Sequence, residues 1–301
     1  MKKFITFTIT VLIATIATSL PAEAQLPKKL KGNGVIVTKN LPCAPQYSDI
    51  YVSTCIDVTV SDRRDGDILV RTDENIMPYV KMEVRNGVFR AWLDNTSSRD
   101  MENVRIDIEM PYNGMIREIE AYAASSVTVV PQLKAGEVEL TASGASFIRA
   151  NIHSNSTDIT LSGASSAEVC TTTNELEISA SGASKVTLSN ASCKKCDIES
   201  TGASKVAGTL TTDTCDIEAS GASKVTLTGV AHHGDFEISG ASKLDASKLV
   251  TEICSVEATG ASAAYVHCTT TLSAEASGSS KIGYSGDCRV NVASDAIFKQ
   301  K

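Results

Sequence analysis

From residue 118 onward, apolar and polar positions alternate in short runs on both sides of a recurring glycine. In the copy at Gly182, Leu176, Ile178 and Ala180 alternate with Glu177, Ser179 and Ser181, and Val186 and Leu188 then alternate with Lys185 and Thr187. A period of two marks a strand with one face in a core and one in water, whereas a helix needs apolar residues three and four apart. The glycine recurs at Gly144, Gly163, Gly182, Gly202, Gly221, Gly240, Gly260 and Gly278, with spacings of 19, 19, 20, 19, 19, 20 and 18. A degenerate ninth copy precedes them, with Ala123 in the glycine place. Each unit reads strand, Ser-Gly-Ala-Ser-Lys corner, strand. Glycine accepts positive φ at such a corner, and alanine and serine are small enough for a tight bend.

Two strands and a corner per ~19 residues predict a coil whose rungs stack as parallel strands about 4.8 Å apart, a rod on the order of 40 Å for nine rungs. The fold class is therefore all-β, a parallel β-helix. It is expected to be right-handed, as parallel crossovers are in about 98% of cases. The inward columns lie six before the glycine (Val138, Thr157, Leu176, Cys196, Cys215, Gly234, Cys254, Leu272) and four before it (Ile119, Leu140, Ile159, Ile178, Ile198, Ile217, Phe236, Val256, Ala274). Residues 46–117 are β-like but irregular. The expected layout is a signal over 1–24, an N-terminal cap over 25–45, and one β-helix over 46–290. Its rungs would be irregular over 46–117 and regular over 118–290, with a tail at 291–301. Trp92, the single tryptophan, is assigned to the core of the irregular part.

The opening segment bears on location. Lys2 and Lys3, an apolar run over 4–20, Pro21 and Ala22-Glu23-Ala24 form a secretory signal with cleavage expected after Ala24. The protein is expected to be exported, to periplasm, outer surface or medium, with no integral span in the mature chain. Cleavage removes two lysines and one glutamate and so moves the net charge from −7 to −8. An acidic chain without clustered positive charge gives no basis for nucleic-acid binding.

Nine cysteines in an exported chain suggest disulfides. Register offers Cys196 with Cys215, Cys268 with Cys288, Cys170 with Cys193, and Cys43 with Cys55, leaving Cys254 as a buried thiol. All-free thiols packed as core residues are the alternative. Cys193-Lys-Lys-Cys196 has metal-ligand spacing, but no second pair completes a four-ligand set. No metal, cofactor or catalytic residue is assigned.

Charged columns remain as candidate chemistry. Lys185, Lys205, Lys224 and Lys243 follow the corner, and Glu199, Glu218, Glu237 and Glu257 precede it. They form either a binding face for a repeating ligand, with calcium between carboxylates as one possibility, or a solvated surface that discourages sheet association. Enzymes on β-helices need a distinguished pair of carboxylates or a base beside a cation. Here carboxylates recur uniformly, and Arg149 is the one arginine between Glu118 and Cys288.

The Ser-Gly-Ala-Ser-Lys corners after acidic-Ile-Glu-Ala strands resemble the GIN-domain head of auto-transporter adhesins. So do residues 56–60 (IDVTV), 68–73 (ILVRTD), 84–89 (VRNGVF) and 104–111 (VRIDIEMP). The likeness spans roughly residues 35–290. It implies a right-handed β-helix, export and adhesion at the cell surface, and it brings no catalytic residues. The expected function is a non-enzymatic cell-surface adhesin or envelope binding protein. Its partner would be a surface glycan, an envelope protein or a second copy. The alternative is a polysaccharide lyase or glycosidase on the same scaffold.

Overall fold

The computed structural model describes residues 30–42, 46–63, 66–94, 101–292 and 296–300. The expected signal over 1–24 and Cys43 lie outside the described residues. The chain is a β-solenoid of stacked rungs, each with one strand before the glycine corner and one after it. Glu175–Ala180 pairs in parallel with Ser156–Leu161 below and Lys195–Ser200 above. After the corner, Lys185–Ser192 pairs in parallel with Ser166–Thr172 and with Lys205–Ala219. From residue 205 the post-corner strand runs unbroken into the next pre-corner strand, as in Lys205–Ala219, Lys224–Ile238, Lys243–Ala258 and Ala263–Ala276.

The predicted inward columns are buried. Ile119, Leu140, Ile159, Ile178, Ile198, Ile217, Phe236 and Val256 are each at most 2% exposed. Burying one such side chain is worth about 1.5–3 kcal/mol, and the column repeats that gain in every rung. The post-corner strands add their own inward column, Ile148, Ala167, Val186, Val206, Val225, Leu244 and Ala264.

Each corner is a tight turn with the left-handed residue first. Gly182 has φ +69, and the Ser184 N–H points to Ser181 O at 3.4 Å. The alanine N–H then donates to the glycine carbonyl of the rung below: Ala183 to Gly163, Ala222 to Gly202 and Ala241 to Gly221, each at 2.7 Å. The corner serine is buried, and this was not evident from its small size alone. Ser262 Oγ donates to Ile238 O at 3.0 Å, and Ser280 Oγ lies 2.8 Å from both Ala258 O and Ser277 O. Each hydroxyl thus ties its corner to the rung below. Ser184 and Ser223 occupy the same place, but their buried Oγ atoms have no partner. Beside Ser184, the Leu161 carbonyl is taken by Ser181 Oγ at 3.2 Å. Ser280→Ala is therefore expected to cost about 1 kcal/mol, the net loss of one buried hydrogen bond, since Ala258 O keeps the Ser277 N–H at 2.9 Å. Ser184→Ala should be neutral or stabilising. Urea unfolding of the two variants checks this, and equal losses would contradict the assignment.

The N-terminal region departs from simple stacking. Asp49–Ser53 and Ile56–Ser61 form a rung that lies between Glu118–Tyr122 with Ser126–Lys134 on one side and Val88–Leu93 with Ile106–Pro111 on the other. Stacking order and chain order thus differ, because the rung of 88–111 is the outer one. Its edges are covered by antiparallel strands: Val80–Arg85 on Val88–Leu93, and Asp67–Asp73 on Ile106–Pro111, with Ile36–Pro42 on Asp67–Asp73 in turn. An open parallel edge would template pairing with another chain, and antiparallel cover blocks it. Trp92 corrects its assignment to the core. Alternation along Val88–Leu93 turns Phe89, Ala91 and Leu93 inward and leaves Trp92 half-buried on the outer side.

Candidate binding faces

The outward positions of the pre-corner strands carry the carboxylates. Because they alternate with the buried isoleucine column, the strand pleat turns them to solvent. Glu199, Glu218, Glu237, Glu257 and Glu275 are register partners in five successive rungs, and all are exposed. Two residues earlier on the same face, Asp197, Asp216 and Asp235 are likewise in register. The four glutamates from Glu199 to Glu257 line a shallow groove with Thr201, Ser220, Ser239 and Thr259. Partial burial and then the neighbouring Asp197 raise the Asp216 pKa. Asp158 is raised in the same way, by burial and then Glu177. At the other end of the rod, Glu118 is pushed up to about 7 by burial, by its hydrogen bond with Glu120 and by Asp49.

The lysine column lies on the sheet after the corner. Lys185, Lys205, Lys224 and Lys243 are successive register partners, Ala263 interrupts, and Lys281 resumes. Lys243 Nζ sits 5.0 Å from the centroid of the Tyr265 ring. Among the described residues, none of these lysines or of the five glutamates belongs to an ion pair. Like charges about 4.8 Å apart repel by roughly 1 kcal/mol in water, less in salt. At the Glu199 position the rungs just below avoid this. The place of Glu199 is filled there by Thr141, Thr160 and Ser179. Two positions earlier the carboxylates run on through the lower half, with Glu118, Glu139, Asp158, Glu177 and Asp197 successive register partners. The arginines there are paired, Arg149 with Glu168 at 2.6 Å and Arg117 with Asp49 at 3.2 Å. The Glu199 and lysine ladders are confined to the C-terminal half of the rod, beginning where Ser179 gives way to Glu199 and Ser166 to Lys185. The acidic column beside Glu199 spans both halves.

A third polar column passed unnoticed in the sequence. Asn155, Asn174, Lys194, Asp213, His232 and Glu252 fall 11 or 12 residues after successive glycines, at the turn between rungs. His232 lies between two carboxylates, with Nδ1 3.0 Å from Glu252 and Nε2 4.0 Å from Asp213. Among the described residues, no group of three or more His, Cys, Asp or Glu side chains is arranged to hold a metal ion.

The eight described cysteines stand as free thiols, so none of the expected bridges is seen among them, and Cys43 of the Cys43–Cys55 pair lies outside the described residues. Cys170 and Cys193 cannot meet. A bulge places Cys170 opposite Asn190, and Cys193 falls three positions further along the strand. Cys196 and Cys215 are register partners, both fully buried as core side chains. The Cys193 thiol hydrogen-bonds to Cys196, which with burial raises its pKa. Its bond to Cys193 lowers the Cys196 pKa, but its bond to Cys215 and burial outweigh that and hold it well above the ordinary value. Burial, then Cys268, raises the Cys288 pKa, and the same two causes raise that of buried Cys254. Cys55 sits at a corner with φ +58. Thiols raised in this way are poor nucleophiles, which suits packing rather than chemistry.

Comparison with known proteins agrees with this architecture. A putative adhesin from Parabacteroides merdae ATCC 43184 shares the fold at a TM-score of 0.51 and 19% identity, over 90% of this chain and 99% of that one. A putative adhesin from Parabacteroides distasonis ATCC 8503 aligns at a TM-score of 0.49 and 22% identity, over 90% of this chain and 97% of its own. No curated protein matches. No helix among the described residues is long and apolar enough to cross a membrane. The family described as "putative auto-transporter adhesin, head GIN domain" matches residues 46–207 and 195–288, and the chain belongs to that family.

Proposed function

We propose that the protein is exported, with cleavage after Ala24, and acts as a non-catalytic adhesive head at the cell envelope. The charged C-terminal half of its rod would hold a surface glycan or an envelope protein. The observation that carries this is the pair of unpaired ladders. Glu199, Glu218, Glu237 and Glu257 stand exposed and without counter-ions where earlier rungs place threonine or serine. Lys185, Lys205, Lys224 and Lys243 stand exposed and without counter-ions after the corner, where earlier rungs place Ser126, Phe147 and Ser166. A local cost without local compensation is characteristic of a surface kept for a partner. The ladders suit repeated weak contacts better than catalysis, since no carboxylate is set apart from its neighbours. Membership in an adhesin family supports the same reading.

A glycan array combined with a polysaccharide turnover screen tests it. Binding without product is expected, and E218Q/E237Q/E257Q or K205Q/K224Q/K243Q should weaken it at least tenfold. Depolymerisation of any bound glycan would overturn the non-catalytic reading.

A further inference from the structure

We propose that the two ladders fit one another, so that the rods associate side by side, the lysine column of one copy lying along the glutamate column of the next. Both columns have one residue per rung, and both belong to the same coil, so their pitch is the same by construction. Lys205, Lys224 and Lys243 are consecutive partners just after the corner, and Glu218, Glu237 and Glu257 are consecutive partners just before the next one. A second copy therefore presents opposite charges at matching intervals over three rungs or more.

The surroundings permit close approach. Two positions after the lysines, the outward places hold Thr187, Ala207 and Thr226, and the glutamates are flanked by Thr201, Ser220, Ser239 and Thr259. In the Lys243 rung that outward place is Asp245, followed by Tyr265 under the Lys243 ammonium, and Asp216 and Asp235 add negative charge beside the glutamates. Among the described residues no ion pair joins the columns, so these charges are open to a neighbour, that of Lys243 from its place over the Tyr265 ring. Pairing offsets the like-charge repulsion along each ladder, and electrostatic complementarity of this kind fixes register between partners. Because the lysine column of one copy meets the glutamate column, a different surface, of the next, the contact is heterologous. Each copy keeps one free face, and growth beyond a dimer follows. The proposal rests on the ladders being binding faces, as above, but on neither export nor a glycan ligand.

The test is sedimentation velocity of the full chain at two protein concentrations, in low and in high sodium chloride. The wild type should form species larger than a monomer at low salt and return to monomer at high salt. K205E/K224E/K243E and E218K/E237K/E257K should each remain monomeric alone and assemble when mixed in equal amounts. A wild type that stays monomeric at low salt at both concentrations overturns the proposal. So does a mixture of the two folded reversal variants that stays monomeric. Should either reversal fail to fold by circular dichroism, the neutral K205Q/K224Q/K243Q decides, and undiminished assembly by it overturns the proposal. Glycan binding that survives without assembly removes only the pairing, and assembly without any ligand on the array removes only the adhesive reading.

Discussion

Gly182→Ala is expected to destabilise the rod by roughly 3 kcal/mol, while Gly114→Ala, at nearly the same φ, costs only about 1–2 kcal/mol. Gly182 has φ +69 and Gly114 φ +78, so both substitutions put a Cβ on a left-handed residue. They differ in what that Cβ meets. At Gly114 nothing lies within 4 Å, whereas at Gly182 the Cβ comes 2.7 Å from Gly163 O and 3.0 Å from Gly163 N. Those atoms are backbone, and Gly163 O accepts the Ala183 N–H at 2.7 Å. The corner can make room only by separating two rungs and stretching that bond. Because each rung contacts chiefly its neighbours, the strain has few places to spread. Urea unfolding of both variants measures the difference. Equal losses would mean that the glycine ladder serves φ alone and not the closeness of the stack.

That contrast also shows how far the sequence carries. Positive φ at the corner follows from glycine recurring at one place, and the register of Ile178 on Ile159 and Ile198 follows from the 19- and 20-residue spacings. The stacking distance does not follow, since spacing along a chain says nothing about how closely two corners approach. Ala123 shows the same limit. It reads as a degenerate copy, yet the turn there is of another kind, with Ala123 and Ala124 both left-handed, like Thr54 and Cys55 one rung below. The corner serine suits a bend by its size, and only the fold reveals that its hydroxyl faces inward to a carbonyl. Cys170 and Cys193 are 23 residues apart, whereas one coil at this place is 20 residues, so Cys170 pairs with Asn190 and the two thiols stand three positions out of register. In the cap, antiparallel cover leaves no periodic trace, so Asp67–Asp73 and Val80–Arg85 read as further rungs. The charged ladders were legible as columns from spacing alone. That they lack counter-ions, while Arg149 and Arg117 have them, required coordinates.

Phe236→Ala is expected to cost about 3–5 kcal/mol, the usual loss for a buried aromatic ring replaced by a methyl group. Phe236 is fully buried in a column whose other members, such as Ile217 and Val256 on either side, are smaller. It fits because Gly234, two residues earlier, leaves the neighbouring column vacant between Cys215 and Cys254. A Cβ on Gly234 would stand 2.6 Å from Phe236 Cζ, the tip of the ring. The two residues thus exchange volume across columns: one position gives up a side chain so that another in the same rung can be oversized. Gly234→Ala alone should therefore destabilise by about 1–3 kcal/mol through overpacking. In a Phe236→Leu background the ring tip is gone, and the added methyl group fills space instead of colliding. The double-mutant cycle should then show a favourable coupling of at least about 1 kcal/mol, as contacting core residues do. Additivity to within about 0.5 kcal/mol would mean that the ring moves aside at little cost. Gly234 would then be kept for its backbone rather than for the room it gives Phe236.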